Sequence, residues 1–182
     1  HVLMTTSMGD ISIELNNEKA PISTQNFLSY VDKKFYDGTI FHRIVKDFMI
    51  QGGGFTPDQK QKATGQGIKN EWKNGLKNLK GTIAMARTRV ADSGTSQFFI
   101  NTKDNGFLDQ PNDGAAYAVF GRVVGGMDIV EKLNAVAAKP GLISEAVPVE
   151  MVEIKSVRRM TPEEVAKVTG TGTEPAKDAP KK

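Results

Sequence analysis

Phe41-His42-Arg43-Ile44-Val45-Lys46-Asp47-Phe48-Met49-Ile50-Gln51, closed by Gly52-Gly53-Gly54, is an apolar run with a fixed guanidinium near its start and an amide near its end. Thr39 to Gln51 reads as two strands joined through Lys46-Asp47. A side-chain period of two puts Phe41 and Arg43 on one face, and His42 and Ile44 on the other. With His42 and Ile44 turned to a core, Arg43 faces a groove. Met49 and Gln51 share a face, and a bend or bulge near Asp47 brings Phe48 beside them. The expected product is an apolar pocket with one strong donor and one amide. The triple glycine lacks the Gly-Lys-Ser/Thr ending of a phosphate loop, so it reads as a bend.

The segments around this stretch repeat the strand pattern. Val2 to Thr6 and Ile11 to Leu15 flank Met8-Gly9-Asp10 and read as a hairpin. Gly81 to Ala86, Ser96 to Asn101 and Ala118 to Val124 read as strands, and Val147 to Val157 as one long final strand. Two helical patterns interrupt them. Pro21 opens the first at a position where a missing N–H costs nothing, with Phe27, Leu28 and Val31 as its buried stripe. The second carries Ile129, Val130, Leu133 and Val136 on one face. Many short strands with two substantial helices predict a mainly β fold, a closed barrel with helices covering its ends. Residues 52–80, rich in Gly, Lys, Gln and Asn, are too long for a plain connection and read as functional or mobile.

One domain over 1–160 and a tail over 161–182 account for the chain of 182 residues. In the tail, Thr161-Pro162-Glu163-Glu164 has the makings of a capping box on a short helix. Beyond it, 170–182 is too polar to bury anything and is expected to be disordered. The net charge of +3 comes from scattered lysines, which argues for a solvated surface and against a nucleic-acid partner. The absence of cysteine excludes disulfides and thiolate chemistry. No apolar run is long enough to span a membrane.

Phe41-His42-Arg43-Ile44, Phe48-Met49-Ile50-Gln51-Gly52-Gly53, Ser96-Gln97-Phe98-Phe99-Ile100, Phe107-Leu108-Asp109 and Val119-Phe120-Gly121 resemble, in order and spacing, the cyclophilins. These are peptidyl-prolyl cis-trans isomerases. The likeness covers about residues 2–158, and Ile68-Lys69-Asn70-Glu71 with Asn74 to Asn78 looks like the bacterial branch. It implies an eight-stranded antiparallel barrel capped by two helices, acting as a monomer on proline-containing peptides and unfolded chains. Arg43 matches the catalytic arginine. Phe48, Met49, Phe99 and Leu108 match the proline pocket, and Gln51 the glutamine that orients the substrate backbone. Ala86 and Arg87 match a segment that works through its main chain, where asparagine is usual at position 87. Gln97 matches a groove-lining position. Phe107 stands where the eukaryotic branch has a Trp important for cyclosporin, and Tyr117 where it has a His. Retained catalysis and weak cyclosporin binding are expected. The opening His1 to Ser7 looks like the mature start of the periplasmic bacterial cyclophilin, which implies the periplasm over the cytoplasm.

The residue types suit the reaction. An X–Pro bond resists rotation by roughly 18–20 kcal/mol because nitrogen shares its lone pair with the carbonyl. A donor that meets the lone pair as the bond twists favours the twisted state, and no nucleophile, metal or cofactor is required. Two competing readings are a scaffold that holds proline segments without turnover and a nucleotide-binding protein using the triple glycine. His42 reads as a hydrogen-bonded core histidine, Phe98 as plain core, and Trp72 as packing.

Overall fold

The alternating segments bury one face each and remove their open edges by closing on themselves. The computed structural model describes residues 1–111 and 114–170. Its strands are β1 Val2–Thr6, β2 Gly9–Leu15, β3 Thr39–Val45, β4 Met49–Gly52, β5 Thr82–Met85, β6 Phe98–Asn101, β7 Val119–Gly125, β8 Ala138–Lys139, β9 Val147–Pro148 and β10 Glu153–Arg159. Eight form a closed antiparallel barrel in the order β1-β10-β3-β4-β6-β5-β7-β2, while β8 and β9 pair separately. The predicted single strand over 147–157 is therefore two. Pro148 lacks the N–H needed to continue a ladder, and the chain breaks there before β10 begins.

The barrel is filled from inside and closed by two helices. α1 Pro21–Asp32 contributes Phe27, Tyr30 and Val31 to the core, and α2 Met127–Asn134 contributes Val130 and Leu133. Leu28 is only half-buried, and the small polar Ser23 and Thr24 complete the buried face of α1. Val136 lies past the end of α2 but still packs on the core. Phe98 is the hub, edge-on to Phe27 at 5.7 Å, Tyr36 at 5.5 Å and Phe41 at 6.1 Å. Gly53 sits at φ +92° beneath it, where a Cβ would meet the Phe98 ring at 2.8 Å. Only glycine meets both conditions.

The register of β3 on β4 departs from simple alternation. Phe41 pairs with Gly52, but Arg43, two residues on, pairs with Gln51, one residue back. His42 is the extra residue of a β-bulge. The bulge turns Phe41 and Ile44 into the same barrel core, so the expectation that Phe41 shares a face with Arg43 does not hold. Arg43 points outward, as expected, but because of the bulge.

The long segment 52–80 is tied to α1. The α1 N-terminus has no cap of its own. Glu71 supplies one, its carboxylate accepting from the Ile22 and Ser23 N–H groups at 3.1 and 2.8 Å. Gly65 N–H donates to the Tyr30 hydroxyl at 3.1 Å. Past β10, α3 Pro162–Thr169 carries the expected capping box: the Glu164 N–H donates to Thr161 Oγ1, and the Thr161 N–H to Glu164 Oε1. Gly170 closes α3 in the left-handed conformation and so belongs to the helix cap, against the expected disorder from 170 onward. The remainder of that stretch, 171–182, lies outside the described residues.

Candidate active site

The barrel has a second apolar cluster on its outer wall. Period-two alternation sends Ile50, Phe98 and Ile100 inward, and Met49 and Phe99 outward. There Met49, Ala84, Ala86, Phe99, Leu108 and Val119 make a small external core, flanked by Phe48 and Tyr117. A cleft of about 100 Å³ opens over it. Of the eleven residues assigned by resemblance, Arg43, Phe48, Met49, Gln51, Ala86, Arg87, Phe99, Leu108 and Tyr117 line this cleft. Gln97 and Phe107 do not.

Those two stand one layer out. Gln97 Oε1 accepts from Gln51 Nε2 at 3.0 Å, so it acts on the cleft through Gln51. Gly54 makes room for it, since a Cβ there would lie 2.6 Å from Gln97 Cγ. Phe107, 57% exposed, lies on the 3-10 helix Gly106–Asp109 and stacks on Phe48 at 5.6 Å between centroids. It forms the outer rim. Arg87 spreads its guanidinium 4.6 Å over the Tyr117 ring and donates to the Ala115 and Thr88 carbonyls, both at 2.8 Å. Arg87, where asparagine is usual, and Tyr117, where the eukaryotic branch has a His, therefore pack against each other.

Arg43 projects from β3 over the cleft mouth. Its Nη1 donates to Gln51 Oε1 at 3.3 Å and lies 3.9 Å from Met49 Sδ, and its Cζ is 5.8 Å from the Phe48 ring centroid. On the far side its Nε and Nη2 both reach Glu145 Oε2, at 2.8 and 2.7 Å. That bonding holds the Glu145 carboxyl below its usual pKa. Nothing in the sequence points to Glu145, which lies 102 positions away.

Asparagines fix the walls. The Asn134 side chain, at the end of α2, accepts from the Asp47 N–H and donates to the Val45 carbonyl, both at 2.9 Å. It clamps the turn that Asp47 makes at φ +58° and that delivers Phe48 and Met49. Asn105 Nδ2 donates to the Phe48 carbonyl and to Asn101 Oδ1, both at 2.8 Å, and Asn78 joins Asn101 to Asp109. An asparagine on the apolar face of a predicted helix is the one sequence signal for Asn134. Among the described residues no group of three or more His, Cys, Asp or Glu side chains is placed to hold a metal.

Comparisons with known proteins identify the family. The family profile described as cyclophilin type peptidyl-prolyl cis-trans isomerase/CLD matches residues 1–159. The chain is 52% identical over 158 residues to peptidyl-prolyl cis-trans isomerase A of Dickeya dadantii (strain 3937), covering 87% of this chain and 83% of that one. It is 51% identical over 159 residues to peptidyl-prolyl cis-trans isomerase B of Escherichia coli (strain K12), covering 86% and 97%. A cyclophilin-type isomerase of Cryptosporidium parvum, crystallised in the presence of the dipeptide Ala-Pro, superposes with a TM-score of 0.76 at 26% identity, covering 88% of this chain and 98% of that one. The chain belongs to the cyclophilin-type peptidyl-prolyl cis-trans isomerases. Its activity is the rotation of peptide bonds that precede proline.

His42 is buried against the Phe55 ring at 4.5 Å, and its Nδ1 has no hydrogen-bond partner among the described residues, contrary to the expected bonded core histidine. Burial first, and the neighbouring Arg43 charge second, push its pKa from 6.5 to about 4. The unfolded chain therefore binds a proton that the folded one refuses, and stability is full above pH 6.5 and lost as pH falls toward 4. Across that window the loss from this residue should reach about 3 kcal/mol. Urea unfolding at pH 7 and pH 4.5 should show a smaller acid loss in His42→Leu than in wild type; equal losses would remove His42 from this role.

Proposed function

We propose that Arg43 is the catalytic donor of this isomerase and that the outer cleft holds the prolyl ring. The single observation that carries this reading is the Arg43 guanidinium standing at the mouth of an apolar cleft floored by Met49 and Phe99. The ring would sit on Phe99, Met49, Phe48 and Leu108. Gln51, held by Gln97, would bind the substrate backbone and keep the carbonyl before proline free to swing. As the bond twists, the lone pair localises on the prolyl nitrogen, and a guanidinium N–H meets it. Arg suits this better than Lys because its donors are planar, directional and always charged. An apolar wall adds to the effect, because the twisted amide is less polarised than the planar one. The substrates are X–Pro segments in peptides and unfolded chains, where uncatalysed isomerisation takes tens of seconds or more. The protein would thereby assist folding. The monomer is proposed as the acting unit on the family resemblance.

A preorganised donor of this kind is worth about 2.7–4 kcal/mol. Arg43→Ala should therefore lower kcat/KM about a hundred- to a thousandfold in a protease-coupled assay with a proline peptide. Arg43→Lys should recover little of that loss. Equal rates in wild type and Arg43→Ala would remove Arg43 from the reaction, and a wild type no faster than buffer would favour a scaffold that holds proline segments without turnover.

Weak cyclosporin binding is proposed from Phe107, whose ring lacks the indole N–H donor of a Trp. Titration with cyclosporin should show weaker binding by wild type than by Phe107→Trp, and equal binding would overturn this. The periplasm is proposed on the likeness of residues 1–7 to the periplasmic branch. Fractionation of the native cells tests it, and recovery in the cytosol would refute it.

A further inference from the structure

We infer that Glu145 is a positioning residue for Arg43, an inference that rests on the catalytic role proposed for that arginine. The contact is fixed by a hydrogen bond to the β3 backbone on either side, one from a side chain and one between main chains. The Ser144 hydroxyl donates to the His42 carbonyl at 2.7 Å, and the Ile44 N–H donates to the Ala146 carbonyl at 2.9 Å. Residues 144 and 146 are thus bonded to the neighbours of Arg43 on β3, and Glu145 is left facing Arg43. A further turn holds the segment, with the Gly141 N–H on the Ser144 carbonyl at 2.9 Å. A surface ion pair between two free side chains has no such register behind it.

The geometry of the pair divides the guanidinium into two edges. Nε and Nη2 converge on one oxygen of Glu145, which does not line the cleft. Nη1 lies on the opposite side, against Gln51 and Met49 in the cleft wall. An arginine side chain has four rotatable bonds and sweeps a wide arc when unrestrained. Gln51 alone, accepting at 3.3 Å, restrains it loosely. Glu145 anchors the outer edge, so the inner edge presents its donors to one place. Donor placement matters because a displacement of about 1 Å at a reacting group can cost on the order of a hundredfold in rate. Glu145 touches neither cleft nor substrate in this arrangement and acts through Arg43.

The test compares Glu145→Ala, Glu145→Gln, Arg43→Ala and the double variant Arg43→Ala/Glu145→Ala. Glu145→Ala should lower kcat about tenfold with KM within about twofold of wild type, since the lost interaction serves the twisted state. Its melting temperature should match wild type, because the side chain is 62% exposed. Glu145→Gln keeps an acceptor oxygen in place and should retain most of the activity. The double variant should be no slower than Arg43→Ala. Glu145→Ala turning over at the wild-type rate or faster would overturn the inference, and so would a further loss in the double variant. Either result leaves Arg43 in its role, whereas a fully active Arg43→Ala would sink that role itself.

Discussion

The extra residue in β3 governs the site. Without the bulge at His42, Arg43 would share a face with Phe41, which is inside the barrel, and its charge would enter the core. An uncompensated buried guanidinium is not tolerated in such a place. The bulge lets Phe41 and Ile44 both face inward and leaves Arg43 outside, opposite Gln51. That pairing places the proposed donor and the proposed backbone-holding amide side by side. His42 is the cost of the arrangement: it is buried, and its Nδ1 has no hydrogen-bond partner among the described residues.

Rotation about a peptide bond makes and breaks nothing, so the protein has only geometry and local polarity to offer. An apolar floor and a few fixed donors are what such a task requires. The structure spends its polar side chains accordingly. Asn134, Asn105, Asn101 and Asn78 bind backbone and one another behind the cleft, and their effect is to hold Phe48, Met49 and the 3-10 helix in place. Gln97 holds Gln51 in the same way. Fully paired networks of this kind rigidify, whereas half-paired ones destabilise. The cleft is therefore a wall stiffened from behind.

Much of the fold was legible in the sequence because local rules decide it. The hairpin β1–β2, Pro21 at the head of α1, the capping box of α3 and the inward Phe98 against outward Phe99 all follow from turn chemistry and periodicity. Where reading failed, a distant partner intervened. The final strand breaks at Pro148, where β9 pairs with β8. The α1 N-terminus is capped by Glu71, 48 positions from Ser23. Phe107 and Gln97 carry family motifs, yet Phe107 stands on the exposed rim and Gln97 beside Gln51, because only the packing decides which residue of a motif lines the cleft.

By itself the sequence determined the barrel, its two closing helices and, through the family resemblance, nine of the side chains that line the outer cleft. Period-two alternation and separated motifs in register suffice for that, since each depends on neighbours in the chain. The tertiary structure alone decided why Arg43 turns outward, through the bulge, and what holds it there. A bulge is a property of two paired strands, and the contact with Glu145 joins positions 102 apart. Neither exists until the chain has closed, so neither leaves a local mark to read.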